Sequence, residues 1–188
     1  MVLRVGVVGG GQLARMMIPA AVNLGIEIRV LAEAEGMSAA LAARSVGDYR
    51  DLATVAAFAA DVDVITFDHE HVPQAVLRAL TSSGVAVHPG PDALQFAQDK
   101  LRMRERLAAL GTPQPDWAAV TNEAELQVFL DAHGGRGVVK MPRGGYDGKG
   151  VRIVSGAAEA ADWFAAVAGD PAGNALLVEG LVDFRREP

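Results

Sequence analysis

The sequence of 188 residues has no cysteine. A disulfide framework, a zinc-thiolate site and a cysteine nucleophile are therefore excluded, and the composition fits a reducing cytoplasm. Positive charge is also in short supply: 17 Lys and Arg against 23 Asp and Glu leave a formal charge of −6, which argues against a general nucleic-acid surface. An anionic ligand must then be held locally, by backbone amides and a few placed cations. Long apolar runs are missing. The longest, Leu52 to Ala60 with Thr54 inside it, falls far short of the roughly 20 residues a membrane helix needs. The N-terminus, Met1-Val-Leu-Arg-Val5, runs straight into Gly-rich sequence without the apolar core and cleavage site of a signal peptide, so an unexported, soluble protein is expected. Internal repeats and low-complexity tracts are absent beyond a general richness in alanine. What is present is a chain 51% apolar with 21 Gly and 9 Pro, enough for one large domain or two small ones with an ordinary core.

Up to about Pro89, short β-branched runs alternate with Ala/Leu-rich helical stretches: Leu3–Val8, Gln12–Leu24, Ile26–Leu31, Ser38–Arg44, Asp51–Ala60, Val62–Phe67, Pro73–Ser82 and Val85–His88. Such alternation predicts a parallel sheet with crossover helices, the α/β class. Pro19 falls inside the first helical pattern, where it is expected to kink or end the helix. Asp51 and Thr121 are candidate N-caps, and Gly25 and Gly111 candidate C-caps. The cluster His88-Pro-Gly-Pro91 reads as a turn. One helix is expected over Asp92–Leu110, with Asp99, Lys100, Arg102, Arg104, Glu105 and Arg106 crowding its middle. After the breaker Gly111-Thr-Pro-Gln-Pro115 the pattern becomes helix (Asn122–His133), strand (Gly137–Met141), Gly-rich turn (Gly144–Gly150), strand (Val151–Val154), helix (Ala157–Val167) and strand (Ala175–Glu179). Two strands joined by a Gly-rich turn predict a hairpin within a small α+β domain.

Four segments are candidates for chemistry. Val7-Val-Gly-Gly-Gly-Gln-Leu-Ala14 places Gly9-x-Gly11-x-x-Ala14 between a strand and a helix, where a phosphate can approach backbone amides at the positive end of the helix. Glu33, 22 residues past Gly11, stands where dinucleotide enzymes bind a ribose hydroxyl. A tight strand-helix turn with no ligand is the plain alternative. Thr66-Phe-Asp-His-Glu-His-Val72 ends the fourth strand, at the sheet edge where open α/β folds bind ligands. Strand alternation puts Asp68 and Glu70 on one side and His69 and His71 on the other. Glu70 is a candidate for a polar ligand, the His-x-His pair is a weaker metal candidate lacking a third ligand nearby, and a solvated loop is the bland reading. Val138-Val-Lys-Met-Pro-Arg-Gly-Gly-Tyr-Asp-Gly-Lys-Gly150 sets Lys140 on a strand before a loop with Gly at 144, 145, 148 and 150. That suits a flap over a polyphosphate, although it lacks the Walker A order and a plain hairpin is the alternative. In the last stretch, Leu176 to Pro188, Glu179 ends an apolar strand and Glu187 follows eight residues later; alone it is an ordinary strand and turn.

Taken together and in this order, the four segments resemble the ATP-grasp superfamily, and within it the 5-(carboxyamino)imidazole ribonucleotide synthases of purine biosynthesis, over essentially the whole chain. The resemblance implies an N-terminal Rossmann-like (preATP-grasp) parallel sheet over 1–90, a helical linker over 91–115, and a partial ATP-grasp domain with a Gly-rich flap over 116–188. It implies a carbon-nitrogen ligase: ATP phosphorylates bicarbonate to carboxyphosphate, and the carboxyl group passes to the amine of 5-aminoimidazole ribonucleotide. Carboxyphosphate is too labile for open water, which gives a closing flap a purpose.

By the same resemblance, Lys100 and Lys140 are expected to contact the ATP phosphates under a flap formed by Gly145 to Val151, including Gly148 and Gly150. Lys100 stands where many relatives have Arg, which keeps the charge but loses the bidentate fork. Glu179 and Val182 are expected at the adenine-side hinge, where a strand edge supplies backbone donors and acceptors, and Glu187 at the ribose. Gln12 and Leu13 are expected to meet the phosphate of the ribonucleotide, with Glu70, Tyr146, Asp147 and Lys149 on its aminoimidazole side; Lys149, Tyr146 and Asp147 are the catalytic candidates. Relatives bind Mg²⁺ C-terminal to the ribose-binding Glu, so metal and bicarbonate ligands are expected beyond Pro188, the domain is expected to be incomplete, and residues 1–188 alone are expected to show no bicarbonate- and ribonucleotide-dependent ATP hydrolysis. A cytoplasmic homodimer is implied for the full-length form, with no nucleic-acid or membrane partner. Three other readings stay open: a noncatalytic nucleotide-binding fragment, another ATP-grasp carboxylase such as a biotin carboxylase, and an NAD(P)-binding domain resting on Gly9-x-Gly11-x-x-Ala14 and Glu33.

Overall fold

Residues 2–145, 149–169, 173–184 and 186 are described by a computed structural model, in which the chain divides into two units, 1–95 and 96–188. In the first unit, continuous β-branched runs become strands covered on both faces. The elements are β1 (Arg4–Val8), α1 (Gln12–Leu24), β2 (Glu27–Ala32), β3 (Ala43–Val46), α2 (Leu52–Ala59), β4 (Val64–Phe67), α3 (Gln74–Ser82) and the start of α4 (Pro91–Gln98). The strands are all parallel in the order β3-β2-β1-β4, and Val7 lies opposite both Val30 and Thr66. One cluster buries Val7, Ala14, Val30 and Ala32. The other buries Val8, Leu31, Val55, Phe58, Ile65, Leu77 and Leu80. A parallel sheet with both faces buried accounts for apolar runs that do not alternate.

The expected α/β class is therefore observed, with local corrections. Ser38–Arg44 is not a helix: it holds only a 3₁₀ turn at Ala40–Ala42, and Ala43–Val46 continues as β3 along β2. The open edge of β2 supplies the hydrogen-bond partners that draw Ala43–Val46 into the sheet. Val85–His88 contributes only a bridge between Val87 and Ile65. Pro19 does not end α1, which runs on to Leu24 and closes on Gly25 in the left-handed conformation, φ +67°. Pro19 is on the exposed side, where water can satisfy the carbonyl that its missing N–H would have bonded.

In the second unit the helix expected over Asp92–Leu110 is two. Asp99 leaves helical geometry and its carboxylate accepts from the Leu101 and Arg102 amides, so α5 (Lys100–Ala109) starts afresh after α4. The remaining elements are β5 (Trp117–Val120), α6 (Glu123–Ala132), β6 (Gly137–Lys140), β7 (Val151–Val154), α7 (Ala161–Val167) and β8 (Leu176–Gly180). They include the expected hairpin, β6–β7, and a strand not expected, β5. The sheet is antiparallel in the order β5-β8-β6-β7. Asn122, not Thr121, caps α6; its side chain accepts from the Glu125 amide, and Glu125 reaches back to the Thr121 N–H and hydroxyl. This reciprocal arrangement is a capping box displaced by one residue from the expected start. The stretch 157–167 opens as a 3₁₀ turn before α7.

Alternation separates the two faces of this sheet. Val120, Val139, Val154, Leu176 and Val178 pack with Leu126, Phe129 and Leu130 of α6 and Val167 of α7. The register gives the opposite face Trp117, Val138, Lys140, Val151, Ile153, Leu177 and Glu179. Val151 and Ile153 on that face are exposed. It is the face that holds charge.

Candidate functional site

In the first unit, the chain leaves β1 for β2 on one side, and β4 returns to its other side. The crevice at the carboxyl ends of β1 and β4 is thus a topological switch point, where open α/β sheets bind ligands. Gly9–Gly11 and the segment after Phe67 both emerge there. The amides expected to meet phosphate are largely taken by the protein itself. Asp68 accepts from the Gly11 N–H at 3.0 Å and the Ala14 N–H at 2.6 Å. Glu33 accepts from the Gly10 N–H at 2.9 Å and from His69 Nε2, also at 2.9 Å. A side chain on Gly11 would run into the Asp68 carboxylate, so the glycine is required by an internal contact.

His69 uses both ring nitrogens. Its Nδ1 accepts the His71 N–H at 3.2 Å, which leaves Nε2 as the donor to Glu33. Tyr49 meets the same ring edge-on, with centroids 4.7 Å apart. Burial pushes the Glu33 carboxyl up, but hydrogen bonds from Gly10, from its own backbone and from His69 outweigh that and hold it below the usual glutamate value. Two consequences follow for the sequence expectations. Glu33 serves the turn and His69 rather than standing free for a ribose, and a dinucleotide pyrophosphate at this turn would meet two carboxylates in place of open amides. The His-x-His pair does not form a metal site: both His69 nitrogens are engaged, and no three His, Asp or Glu side chains among the described residues converge to hold an ion. Gln12 and Leu13 begin α1, are exposed, and have backbone N–H groups with no acceptor among the described residues. Glu70 is half-buried on the loop after β4.

In the second unit, Lys140 and Glu179 come together on the charged face. Val138 lies opposite Glu179, so Lys140, two residues along β6, is its diagonal neighbour. Glu179 Oε2 accepts from Lys140 Nζ at 2.6 Å. Oε1 accepts from Arg104 Nε at 2.7 Å and lies 2.6 Å from a terminal guanidinium nitrogen. The Glu179 side chain is only 7% exposed. β8 is an interior strand, so Glu179 acts here through its carboxylate, and open backbone begins beyond Gly180.

The base of the hairpin is tied to α5. Lys100 donates from Nζ to the Gly144 carbonyl at 3.0 Å and from its amide to the Pro142 carbonyl at 2.9 Å, and Arg143 pairs with Asp99 at 2.9 Å. The Met141 N–H donates to the Gly150 carbonyl. Gly145 and Gly150 cross so closely that a Cβ on Gly145 would lie 2.6 Å from Gly150 Cα. Lys149 is exposed beside this crossing, and Val151 and Val182 are exposed. Tyr146, Asp147, Gly148 and Glu187 lie outside the described residues. Sequence reasoning missed Arg104 as part of the site. Its only signal was its spacing of four residues from Lys100, one helical turn along α5.

Comparison with known proteins gives matches along the whole chain. The model of the ribonucleotide synthetase preATP-grasp domain matches residues 2–98, and that of the ATP-grasp domain residues 105–188. The N5-carboxyaminoimidazole ribonucleotide synthase of Mycobacterium bovis is 48% identical over 185 residues, covering 97% of this chain and 43% of that protein. A crystal structure of carboxyaminoimidazole ribonucleotide synthase from Aspergillus clavatus complexed with ATP is similar with a TM-score of 0.82 at 27% identity, over 98% of this chain and 48% of that one. Another from the same organism, in complex with ADP and 5-aminoimidazole ribonucleotide, gives 0.81 at 26% identity, over 98% and 48%. The chain thus spans less than half the length of these relatives.

Proposed function

The chain belongs to the ribonucleotide synthetase preATP-grasp family, and from that premise we propose that it takes part in the ATP-dependent carboxylation of 5-aminoimidazole ribonucleotide in purine biosynthesis. In this reaction bicarbonate oxygen attacks the γ-phosphorus of ATP, ADP leaves, and carboxyphosphate forms. The amine of the ribonucleotide then attacks the carboxyl carbon, and phosphate departs. By the same resemblance we assign the working enzyme to the cytoplasm, as a homodimer.

The observation that supports this reading best is the cluster of Lys140, Glu179 and Arg104 on the charged face of the second sheet. One carboxylate between two cations leaves a net charge of +1, and Lys140 spends one of its three N–H donors on Glu179 at 2.6 Å, keeping two for a phosphate oxygen. Lys100 and the close approach of Gly145 to Gly150 fix the base of the hairpin, which suits a flap that excludes water from a labile intermediate. On this reading Lys100 and Lys140 bind the phosphates beneath Gly145, Gly148, Gly150 and Val151, Glu179 and Val182 flank the adenine, and Glu187 holds the ribose. Gln12 and Leu13 offer their amides to the ribonucleotide phosphate. Glu70, Tyr146, Asp147 and Lys149 attend its aminoimidazole, where the carboxyl transfer occurs. Mg²⁺ would balance the polyphosphate charge, but the described residues do not provide its donor set: Glu179 already serves two cations.

Calorimetric titration of the protein with MgATP and with NADH tests the reading. Saturable ATP binding that Lys140→Met weakens tenfold or more is expected, with no NADH binding. Saturable NADH binding without ATP binding would refute it.

A further inference from the structure

We propose that Arg104 is a positioning residue for the polyphosphate: acting through Glu179, it fixes where Lys140 presents its ammonium group and keeps the cluster net positive. The proposal rests on the ATP reading above and adds to it a residue that touches no substrate.

Arg104 binds one oxygen of Glu179 through two nitrogens, at 2.7 and 2.6 Å, and leaves the other oxygen to Lys140 at 2.6 Å. The carboxylate is thereby held from one side and aims its free oxygen at β6. Arg104 is itself braced, because Gln114 Nε2 donates to its carbonyl at 3.2 Å and Gln114 Oε1 lies 3.4 Å from a terminal nitrogen. It is mostly buried, at 14% side-chain exposure, whereas Lys140 is the most open of the three at 23%. The charge nearest solvent is therefore the one suited to an anion, and the inner cation neutralises the carboxylate behind it. Without Arg104, Lys140 alone would balance Glu179, and the cluster would offer no net charge. A lysine at 104 restores the charge but not two donors on one oxygen, so it should restore binding in part.

The test measures binding of ATP, inorganic tripolyphosphate and adenosine to wild type, Arg104→Met, Arg104→Lys and the double variant Arg104→Met with Glu179→Met. The double variant removes the two most buried charges together, so no buried half of the Arg104–Glu179 pair is left behind, and the more exposed Lys140 keeps a net charge of +1. Arg104→Met is expected to weaken ATP and tripolyphosphate by about tenfold or more and to weaken adenosine, which meets Glu179 but none of the phosphate-binding cations, clearly less. Arg104→Lys should recover part of the loss, and the double variant should bind tripolyphosphate better than Arg104→Met. Equal losses for adenosine and ATP would mean a merely structural role and would overturn the proposal. So would unchanged ATP and tripolyphosphate binding in Arg104→Met, while leaving the ATP reading intact. Wild type that binds tripolyphosphate but not ATP would overturn the ATP reading, with the tripolyphosphate series still deciding the role of Arg104; binding of neither would overturn both.

Discussion

Replacing Asp68 should destabilise the first unit more than any other exchange of a polar side chain at its switch point. Helix α1 has no cap of its own, since Gly11 stands at the N-cap position without a side chain. Asp68, distant in sequence, supplies the cap, accepting from Gly11 at 3.0 Å and Ala14 at 2.6 Å. Loss of an N-cap costs about 0.5–2 kcal/mol, and loss of a negative charge at a helix start about 0.3–1 kcal/mol more. Ala14 is fully buried, so its N–H is not readily rescued by water and the upper part of the range applies. Asp68→Ala should therefore cost about 2–3 kcal/mol, and Asp68→Asn, which keeps one acceptor, about half of that. For a unit of this size the alanine variant should melt about 10–20 °C lower. Both tryptophans, Trp117 and Trp163, fall in the second unit, so their fluorescence would miss the effect. Hydrogen exchange of the α1 amides, followed by mass spectrometry, reads it directly. An Asp68→Ala protein within 0.5 kcal/mol of wild type, or an asparagine variant as unstable as the alanine one, would refute the reasoning.

Other perturbations follow from the same geometry. The Glu33 carboxyl is held below the usual glutamate value when folded, so its contribution is fully present above about pH 4.5 and is lost as pH falls through the lowered value; urea midpoints of Glu33→Gln should converge on wild type in acid and fall below it at neutral pH. Gly144 and Gly145 both have positive φ, +65° and +76°, but only Gly145 is crowded by Gly150. Gly144→Ala should cost about 1 kcal/mol, and Gly145→Ala clearly more, with faster exchange of the β6–β7 amides; equal costs would discount the crossing. Glu179→Gln leaves Lys140 and Arg104 without a buried counter-charge and should destabilise the second unit by about 3–5 kcal/mol, read by tryptophan fluorescence in urea.

The parallel sheet, its crossover helices and the Gly-rich hairpin were legible because each rests on local pattern: buried β-branched runs, Ala/Leu periodicity, and glycines between two strands. β3 and β5 were not legible. They have four residues each, and Ala43-Arg-Ser-Val46 and Trp117-Ala-Ala-Val120 become strands only because β2 and β8 offer edges beside them. The break at Asp99 was hidden by helix-forming residues on both sides, although an aspartate is a good cap wherever the chain permits one. In the candidate sites, Lys140 was singled out by its place before the Gly-rich loop, and Lys100 and Glu179 only by the family resemblance. The partners that govern them were not: Asp68 reaches back 57 positions to Gly11 and Arg104 forward 75 to Glu179, distances over which a single sequence has no periodicity to read.

Those long-range partners decide which glycine-rich segment suits a polyphosphate. Gly9-x-Gly11-x-x-Ala14 advertises amide donors at a helix start, but such a motif does not say which acceptor takes them. Here Asp68 and Glu33 bind three of those amides, so two negative charges already face a helix end worth about half a positive charge. A further pyrophosphate would have to displace them or be repelled. At Gly144–Gly150 the balance is the reverse. The single carboxylate at its strand is outnumbered by Arg104 and Lys140, with Lys100 tied to the hairpin base and Lys149 exposed on the loop. In a chain of net charge −6 such a local excess of cations is what a polyphosphate requires. The remaining amides of Gln12 and Leu13 are enough for one terminal phosphate and too few for a pyrophosphate, which fits the proposed ribonucleotide phosphate better than a dinucleotide.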